Sequence, residues 1–516
     1  MRTVFLFAII LIPVLAYPKP GPRIDATKGE VWPKPFSQKN TGKFYQIDPK
    51  NIEFVVTQKN CFLLQQAISR YTDIIKTSVN SPIYADVTPP PTILKTITHF
   101  DVNLTKPCEA LPHYKMDESY YVYGHGKVVS NSIWGILRGL ETLSQILVPM
   151  SNGMLRIPET EIYDKPRFQY RGFMLDTARH FINVSKILQL IDGMAYNKLN
   201  VFHWHMTDDS AFPYNSTRFP ELSAKGAYNS RMTYSKSDVN QIIEHARERG
   251  IRVIPEFDTP AHTASWGASH PEIMTECFGK HNGQLGPFNP TSRQTFNVLD
   301  KFFSEIKDLF PDTYIHIGGD EVDSACWESN PDIQQYLKEH GQDSGDLPYM
   351  FFEKLTKYLY RNGQTPILWQ EVIEENPGIE LPQGTMAQVW FNSKKAMPSL
   401  TKKGYTTIFS DGFYLYAGDD GPDWMDFYNI EPTNFTGDAT QKNRVAGGEA
   451  CMWTEWVNNN NVMTMVFPRA SAVAERLWSK ETQKDTDEAA PRMEEHNCRM
   501  LWRGIETRPA NGYGLC

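Results

Sequence analysis

Residues 171–208 read RGFMLDTARHFINVSKILQLIDGMAYNKLNVFHWHMTD. The residue pattern changes twice within this stretch. Arg171–Arg179 carries an apolar run that reads as a strand buried on both faces. Val184–Leu199 then places Ile187, Leu188, Ile191, Met194 and Ala195 on one helical face. Asn200–Asp208 returns to strand. The grammar repeats downstream: Val239, Ile242, Ile243 and Ala246 mark a helix, Gly250 ends it, and Ile251–Asp258 follows as a strand. Further strands are expected at Tyr314–Asp320, Ile367–Glu371, Met386–Trp390, Thr406–Asp411 and Gly448–Trp453. Eight strands with intervening helices over about 300 residues predict a (β/α)8 barrel. An open doubly wound sheet is the alternative, but no G-x-G-x-x-G follows the first strand.

Upstream, Lys165-Pro166 marks where this grammar begins. Residues 31–164 read as a smaller α+β domain, with helices at Phe62–Ile75 and Asn131–Leu147 and sheet at Ile93–Val102 and Ser119–Val129. The catalytic barrel with its C-terminal extension then occupies 165–516. Residues 17–30 are Pro- and charge-rich and read as a mobile leader. Met1–Tyr17 has one Arg before an apolar run ending Val14-Leu15-Ala16, so residues 1–16 read as a signal peptide. The run is about 14 residues, short of the roughly 20 that a membrane span needs.

That leader implies an oxidising compartment. Of the 7 cysteines, sequence order suggests the pairs Cys61–Cys108, Cys277–Cys326 and Cys498–Cys516, although spacing alone leaves other pairings open. Cys451 is left over, in an apolar strand pattern that suits a buried thiol. Glycosylation sequons stand at Asn103, Asn183, Asn215 and Asn434. The 516-residue chain carries a formal net charge of −8 with 41% hydrophobic and 22% charged residues, a globular composition that argues against nucleic acid as partner.

In a barrel of this kind, chemistry sits at the C-terminal ends of the strands. Every expected end carries polar or aromatic residues: Asp176 and Arg179; His203, His205 and Asp208; Glu256, Asp258 and His262; Asp320 and Glu321; Trp369 and Glu371; Trp390; Tyr414; Trp453 and Glu455. Packing alone does not explain such a collection. Asp320-Glu321 is the sharpest element. Adjacent side chains on a strand point to opposite faces, so a shared site requires the strand to stop and turn near Gly318-Gly319. Neighbouring carboxyls push their proton affinities apart, which yields one acid and one anionic partner, as glycoside chemistry needs. Trp369, Trp390 and Trp453 suit either rim packing or an apolar box around a sugar.

His316-Ile-Gly-Gly-Asp-Glu-Val-Asp323 resembles the signature of the β-N-acetylhexosaminidases of glycoside hydrolase family 20. Arg171–His180, Lys198–His205 and Gly447–Trp453 resemble the same family's barrel strands, and Val31-Trp-Pro-Lys-Pro35 its N-terminal domain. The resemblance covers the mature chain and points to animal lysosomal or secreted enzymes. It implies a retaining exo-hydrolase of terminal β-GlcNAc or β-GalNAc, in which the substrate's own acetamido oxygen attacks the anomeric carbon. Glu321 would be the general acid and then base. Asp320 would hold the acetamido N–H, and Tyr414 the acetamido oxygen. Asp208 and His262 would tune Glu321. Arg179 and Glu455 would bind ring hydroxyls, and Trp369, Trp390 and Trp453 would wall the pocket. No cofactor and no metal are implied; a homodimer is.

Some relatives carry Asn-Arg after the tyrosine equivalent to Tyr414, and that Arg accepts sulfated or sialylated sugars. Here the segment reads Tyr414-Leu-Tyr416-Ala417-Gly-Asp419-Asp420, so neutral substrates are expected. Two other classes compete. His203 and His205 face one way along a strand, and with Asp208, Asp258 and His262 they would suit a metal-dependent hydrolase; no H-E-x-x-H supports that. A glycan-binding protein without turnover is the other, and the intact Asp320-Glu321 pair argues against it. No G-x-S-x-G suggests a serine hydrolase.

Overall fold

The computed structural model describes residues 23–279, 283–415 and 422–516. The expected signal peptide and the residues Tyr416, Ala417, Asp419 and Asp420 lie outside the described residues.

Eight parallel strands close into a barrel. In chain order they are β1 (Tyr170–Asp176), β2 (Val201–Thr207), β3 (Arg252–Phe257), β4 (Tyr314–His316), β5 (Thr365–Trp369), β6 (Met386–Val389), β7 (Thr406–Phe409) and β8 (Val445–Met452). Every residue of β1 and β2 is buried, the ion-paired Arg171, Asp176, His203 and His205 included, as a parallel sheet covered on both faces requires. Helices cover the outside. Val184–Tyr196 buries Ile187, Leu190, Ile191 and Met194. Lys236–Arg247 starts from a capping box between Ser235 and Asp238.

β4 is shorter than the sequence pattern suggests. It ends at His316, because Gly318 and Gly319 take φ of 68° and 111° and turn the chain out of the sheet. The helix after β1 also stops short of Leu199: Lys198 has φ 56°, which leaves the helix and redirects the chain into β2.

The N-terminal domain carries a mixed sheet, with helices Phe62–Ser78 and Ile133–Ile146 in its core. Two expected strands divide. Ile93–Ile97 pairs with Ser37–Ile47, whereas Phe100–Leu104 pairs with Phe54–Val56 and Lys127–Ser130. Tyr120–Tyr123 and Lys127–Ser130 form a hairpin whose turn holds Gly126 at φ 98°. Buried ion pairs join this domain to the barrel. Glu118 takes Arg138 at 2.9 Å and Arg171 at 2.6 Å, and Lys198 reaches Asp164 at 3.1 Å. Disulfides link Cys61–Cys108, Cys277–Cys326 and Cys498–Cys516, and Cys451 is a buried free thiol.

Candidate active site

The strand-end residues converge at one mouth of the barrel. Arg179, beyond β1, donates to Asp176 Oδ2 at 3.2 Å and lies 2.7 Å from Asp208 Oδ2. Its guanidinium sits 4.9 Å from the Trp453 ring centroid. The exposed Glu455 adds a further carboxylate to its field. Asp208 is buried. Burial alone would raise its proton affinity, but hydrogen bonds from His205 and His262 and the charges of His205 and Arg179 hold it well below the carboxylate range.

His262, at φ 56°, bridges Asp208 to the two acids of the β4 turn. Its Nδ1 is 3.5 Å from Asp208 Oδ1. Its Nε2 lies 3.5 Å from Glu321 Oε2 and 3.8 Å from Asp320 Oδ2. Burial works against a charged imidazole here, yet Asp208, Asp320 and Asp209 pull its pKa up to about 9. Glu321 takes φ 53°, and its side chain is 62% exposed, so it points out of the barrel into the cleft. Asp320 beside it is 13% exposed. The turn therefore separates the two carboxyls by depth: one open to solvent, one at the floor. A cavity of about 320 Å³ opens beside Glu321, lined by His262, Asp209, Asp323 and the Cys277–Cys326 disulfide.

Trp369, Trp453, Tyr414 and Trp390 form an aromatic cluster. Ring centroids are 6.3 Å apart for Trp369–Trp453, 6.4 Å for Tyr414–Trp453 and 6.1 Å for Trp390–Tyr414. Each of two indoles is anchored by a carboxyl: Trp369 Nε1 donates to Glu256 at 3.0 Å, and Trp390 Nε1 to Glu371 at 2.8 Å. Glu371 is pushed up to about 8, chiefly by burial.

Beneath this mouth lies a polar core that sequence reasoning did not assemble. Glu256 is fully buried and meets His205 Nδ1 at 2.6 Å, His203 Nε2 at 3.0 Å and His316 Nδ1 at 2.9 Å. His203 also reaches Glu449 at 2.8 Å, and His205 reaches Asp208 at 3.0 Å. Contacts thus run unbroken from Glu449 through His203, Glu256, His205, Asp208 and His262 to Glu321. Period-2 spacing on β2 and β3 was the available signal; strand register, which pairs His205 with Glu256 and Glu256 with His316, was not.

Among the described residues, three groups have donor sets that could ligate a cation: His203, Glu256 and His316; Asp208, Asp209 and His262; and Asp258, His262 and Asp320. In the first, every residue is already spent on ion pairs inside a closed core.

Burial opposes the charged forms of His203 and His205, but Glu449 and Glu256 raise the first to about 9 and Glu256 and Asp208 raise the second to about 10. Burial likewise opposes a charged Glu256, and the three imidazoles hold it well below its ordinary value. The histidines' stabilisation is complete below their unfolded pKa, about 6.5, and is lost as pH rises through 9 to 10. The Glu256 contribution is complete above about 4.5 and is lost in acid. Calorimetry should therefore show the highest Tm between about pH 4.5 and 6.5 and a fall of several degrees by pH 9.5. Glu256→Gln should lower the maximum and flatten the alkaline fall; an unchanged alkaline arm would deny the network this role.

A family model described as "Glycosyl hydrolase family 20, catalytic domain" matches residues 168–481, and one described as "beta-acetyl hexosaminidase like" matches residues 31–146. The chain belongs to glycosyl hydrolase family 20. It is 40% identical to the β-hexosaminidase β subunit of Felis catus over 95% of this chain and 94% of that one. It is also 40% identical to the Homo sapiens β subunit, over 95% and 89% respectively. The α subunit of Rattus norvegicus is 39% identical over 94% of each chain. Among solved structures, the chitobiase of Flavobacterium johnsoniae superposes with a TM-score of 0.79 at 27% identity, over 93% of this chain and 73% of that one. The protein is accordingly a glycoside hydrolase with β-hexosaminidase activity, and its carboxyl-lined barrel mouth is the candidate seat of that activity. No helix among the described residues is long and apolar enough to cross a membrane.

Proposed function

We propose that this family 20 hydrolase removes terminal, non-reducing β-linked GlcNAc or GalNAc from neutral glycoconjugates or chitooligosaccharides, with retention, through an oxazolinium ion formed by the substrate's own acetamido group. The observation that carries this reading is the split of the Asp320-Glu321 pair by depth. Glu321 lies open to the cleft, where a leaving oxygen can take its proton. Asp320 lies at the floor, near enough to Glu371, which anchors Trp390, to raise its proton affinity, and there an N-acetyl group would sit.

Each residue then has a task. Glu321 protonates the leaving group and afterwards activates water. Asp320 accepts the acetamido N–H and balances the positive charge that grows on the ring of the intermediate. Tyr414 donates to the acetamido oxygen and so aims it at the anomeric carbon. Trp369, Trp390 and Trp453 enclose the sugar and its methyl group. Arg179, braced by Asp176 and Asp208, and Glu455 take ring hydroxyls. His262, charged and held by Asp208, supports the proton inventory of Glu321. An attached nucleophile has high effective molarity, so no protein nucleophile is needed.

The chain's division into an N-terminal domain (31–164) and a barrel (165–516), a homodimer, and a lysosomal or extracellular destination belong to the same reading. They rest on the leader sequence, the disulfides and the kinship with β-hexosaminidase subunits. Among the sequons, Asn183 and Asn434 are exposed and suit glycans. The Asn215 amide instead bonds Thr233 at 3.3 Å, and Asn103 is half-buried within a strand.

The test is turnover of aryl β-GlcNAc with and without a 6-sulfate. Asp419 and Asp420 follow Tyr414 with no cation between them, so the sulfated glycoside should be cleaved at least about tenfold more slowly. Equal rates on both would overturn the neutral-substrate assignment, and no turnover of either would overturn the activity itself.

A further inference from the structure

Three buried carboxyl oxygens in this site have no hydrogen-bond donor, Asp258 Oδ2, Asp320 Oδ1 and Glu371 Oε2, and the first two belong to neighbouring carboxyls. Asp258 follows the end of β3 and is 1% exposed. Its other oxygen, Oδ1, accepts the Gly319 N–H at 3.1 Å. One oxygen of each carboxyl and a ring nitrogen of His262 lie within 4.8 Å of one another. The backbone is fitted to this contact. A Cβ at Gly318 would stand 1.6 Å from Asp258 Oδ1, so the turn that carries Asp320 and Glu321 rests directly on the Asp258 carboxyl.

The groups facing Asp258 are mostly acidic. Asp320 faces it from the β4 turn, Glu256 from its own strand and Asp208 from the end of β2, while His262 and the Gly319 N–H are the opposing dipoles and charges. Burial, the Asp320 carboxyl and Glu256 push the Asp258 carboxyl well above its ordinary range. Two carboxylates at this depth and separation do not ionise together. A proton between them provides both orphaned oxygens with a partner.

We propose that Asp258 keeps a proton on Oδ2 and donates it to Asp320 Oδ1, so that a neutral carboxylic acid fixes the orientation of the acetamide-binding carboxylate. Asp258 is thus a positioning residue, acting through Asp320; the inference rests on the role given to Asp320 above. The proton is not transferred in the reaction. It leaves Asp320 with its charge and its remaining lone pairs for the acetamido N–H, and it stops Asp320 from turning away toward His262.

Asn is the isostere of the protonated acid: its amide N–H₂ replaces the O–H donor, and its oxygen still accepts from Gly319. Asp258→Asn should therefore reduce kcat/KM by less than about tenfold, whereas Asp258→Ala, which removes a hydrogen bond to a charged group, should reduce it by about 100-fold. The rates are read on a dinitrophenyl β-GlcNAc, which needs little acid help, so that the loss reports the orientation of Asp320 rather than proton donation by Glu321. Infrared difference spectra of wild type against Asp258→Asn at pH 7 should contain the carbonyl stretch of a protonated carboxylic acid, a readout independent of turnover. The proposal is overturned if Asn is as damaging as Ala, as it would be were Asp258 an anion or a metal ligand. It is also overturned if the acid carbonyl band is missing. A wild type that displays the band but does not cleave the glycoside would refute the hexosaminidase reading and leave the shared proton standing.

Discussion

Glu321→Gln should lower kcat/KM for a β-N-acetylglucosaminide with a poor leaving group, such as a second sugar, by about 1,000-fold. Gln keeps the shape of the side chain and its place 3.5 Å from His262, but brings no proton to the departing oxygen. The loss should shrink to about tenfold or less with a dinitrophenol leaving group, whose anion departs unaided. KM should change little, because the side chain is 62% exposed and the role proposed for it is in the transition state rather than in ground-state binding. Steady-state kinetics on the two glycosides check this. An equal loss on both would mean that Glu321 acts on something other than the leaving group.

Asp320→Asn should behave differently. In the proposed mechanism its charge is needed when the oxazolinium ion forms, whatever leaves, so kcat should fall by about 100- to 1,000-fold on both glycosides alike. The amide also presents a donor to the acetamido N–H, which turns an attraction into a clash. The pattern to look for is a loss independent of the leaving group beside a loss that depends on it. Should Asp320→Asn also be rescued by dinitrophenol, the separation of roles within the pair would be wrong.

The barrel was legible because its information is local. Apolar runs, helical faces and Gly250 each declare themselves within a dozen residues, and the polar strand ends followed from the fold. The outer site residues were legible for the same reason: Arg179, Asp208, His262, Asp320, Glu321 and the tryptophans all stand at or just beyond strand ends. What the sequence concealed depends on register between strands. His205, Glu256 and His316 come from β2, β3 and β4, and only the pairing of rungs brings them into one ionic layer. Glu371 read as the end of a strand, but it opens the short helix Glu371–Glu374 and holds Trp390. Asp320 meets Asp258, a carboxyl some sixty positions earlier in the chain whose proton affinity is raised by burial and by Asp320. Adjacency pairs Asp320 with Glu321, but Gly318 and Gly319 turn Glu321 outward and set Asp320 near Asp258, just beyond the end of β3.

The nucleophile is the most direct point of test. Aryl β-glycosides bearing N-acetyl, N-fluoroacetyl, N-difluoroacetyl and N-trifluoroacetyl groups differ chiefly in how much electron density the carbonyl oxygen can offer. If that oxygen attacks the anomeric carbon, kcat/KM falls steeply and in order with each fluorine added, while Asp320→Asn, already deprived of its orienting anion, falls from a lower start. If kcat/KM stays level across the series, the bond is made by water or by a protein group, and the substrate-assisted mechanism is wrong.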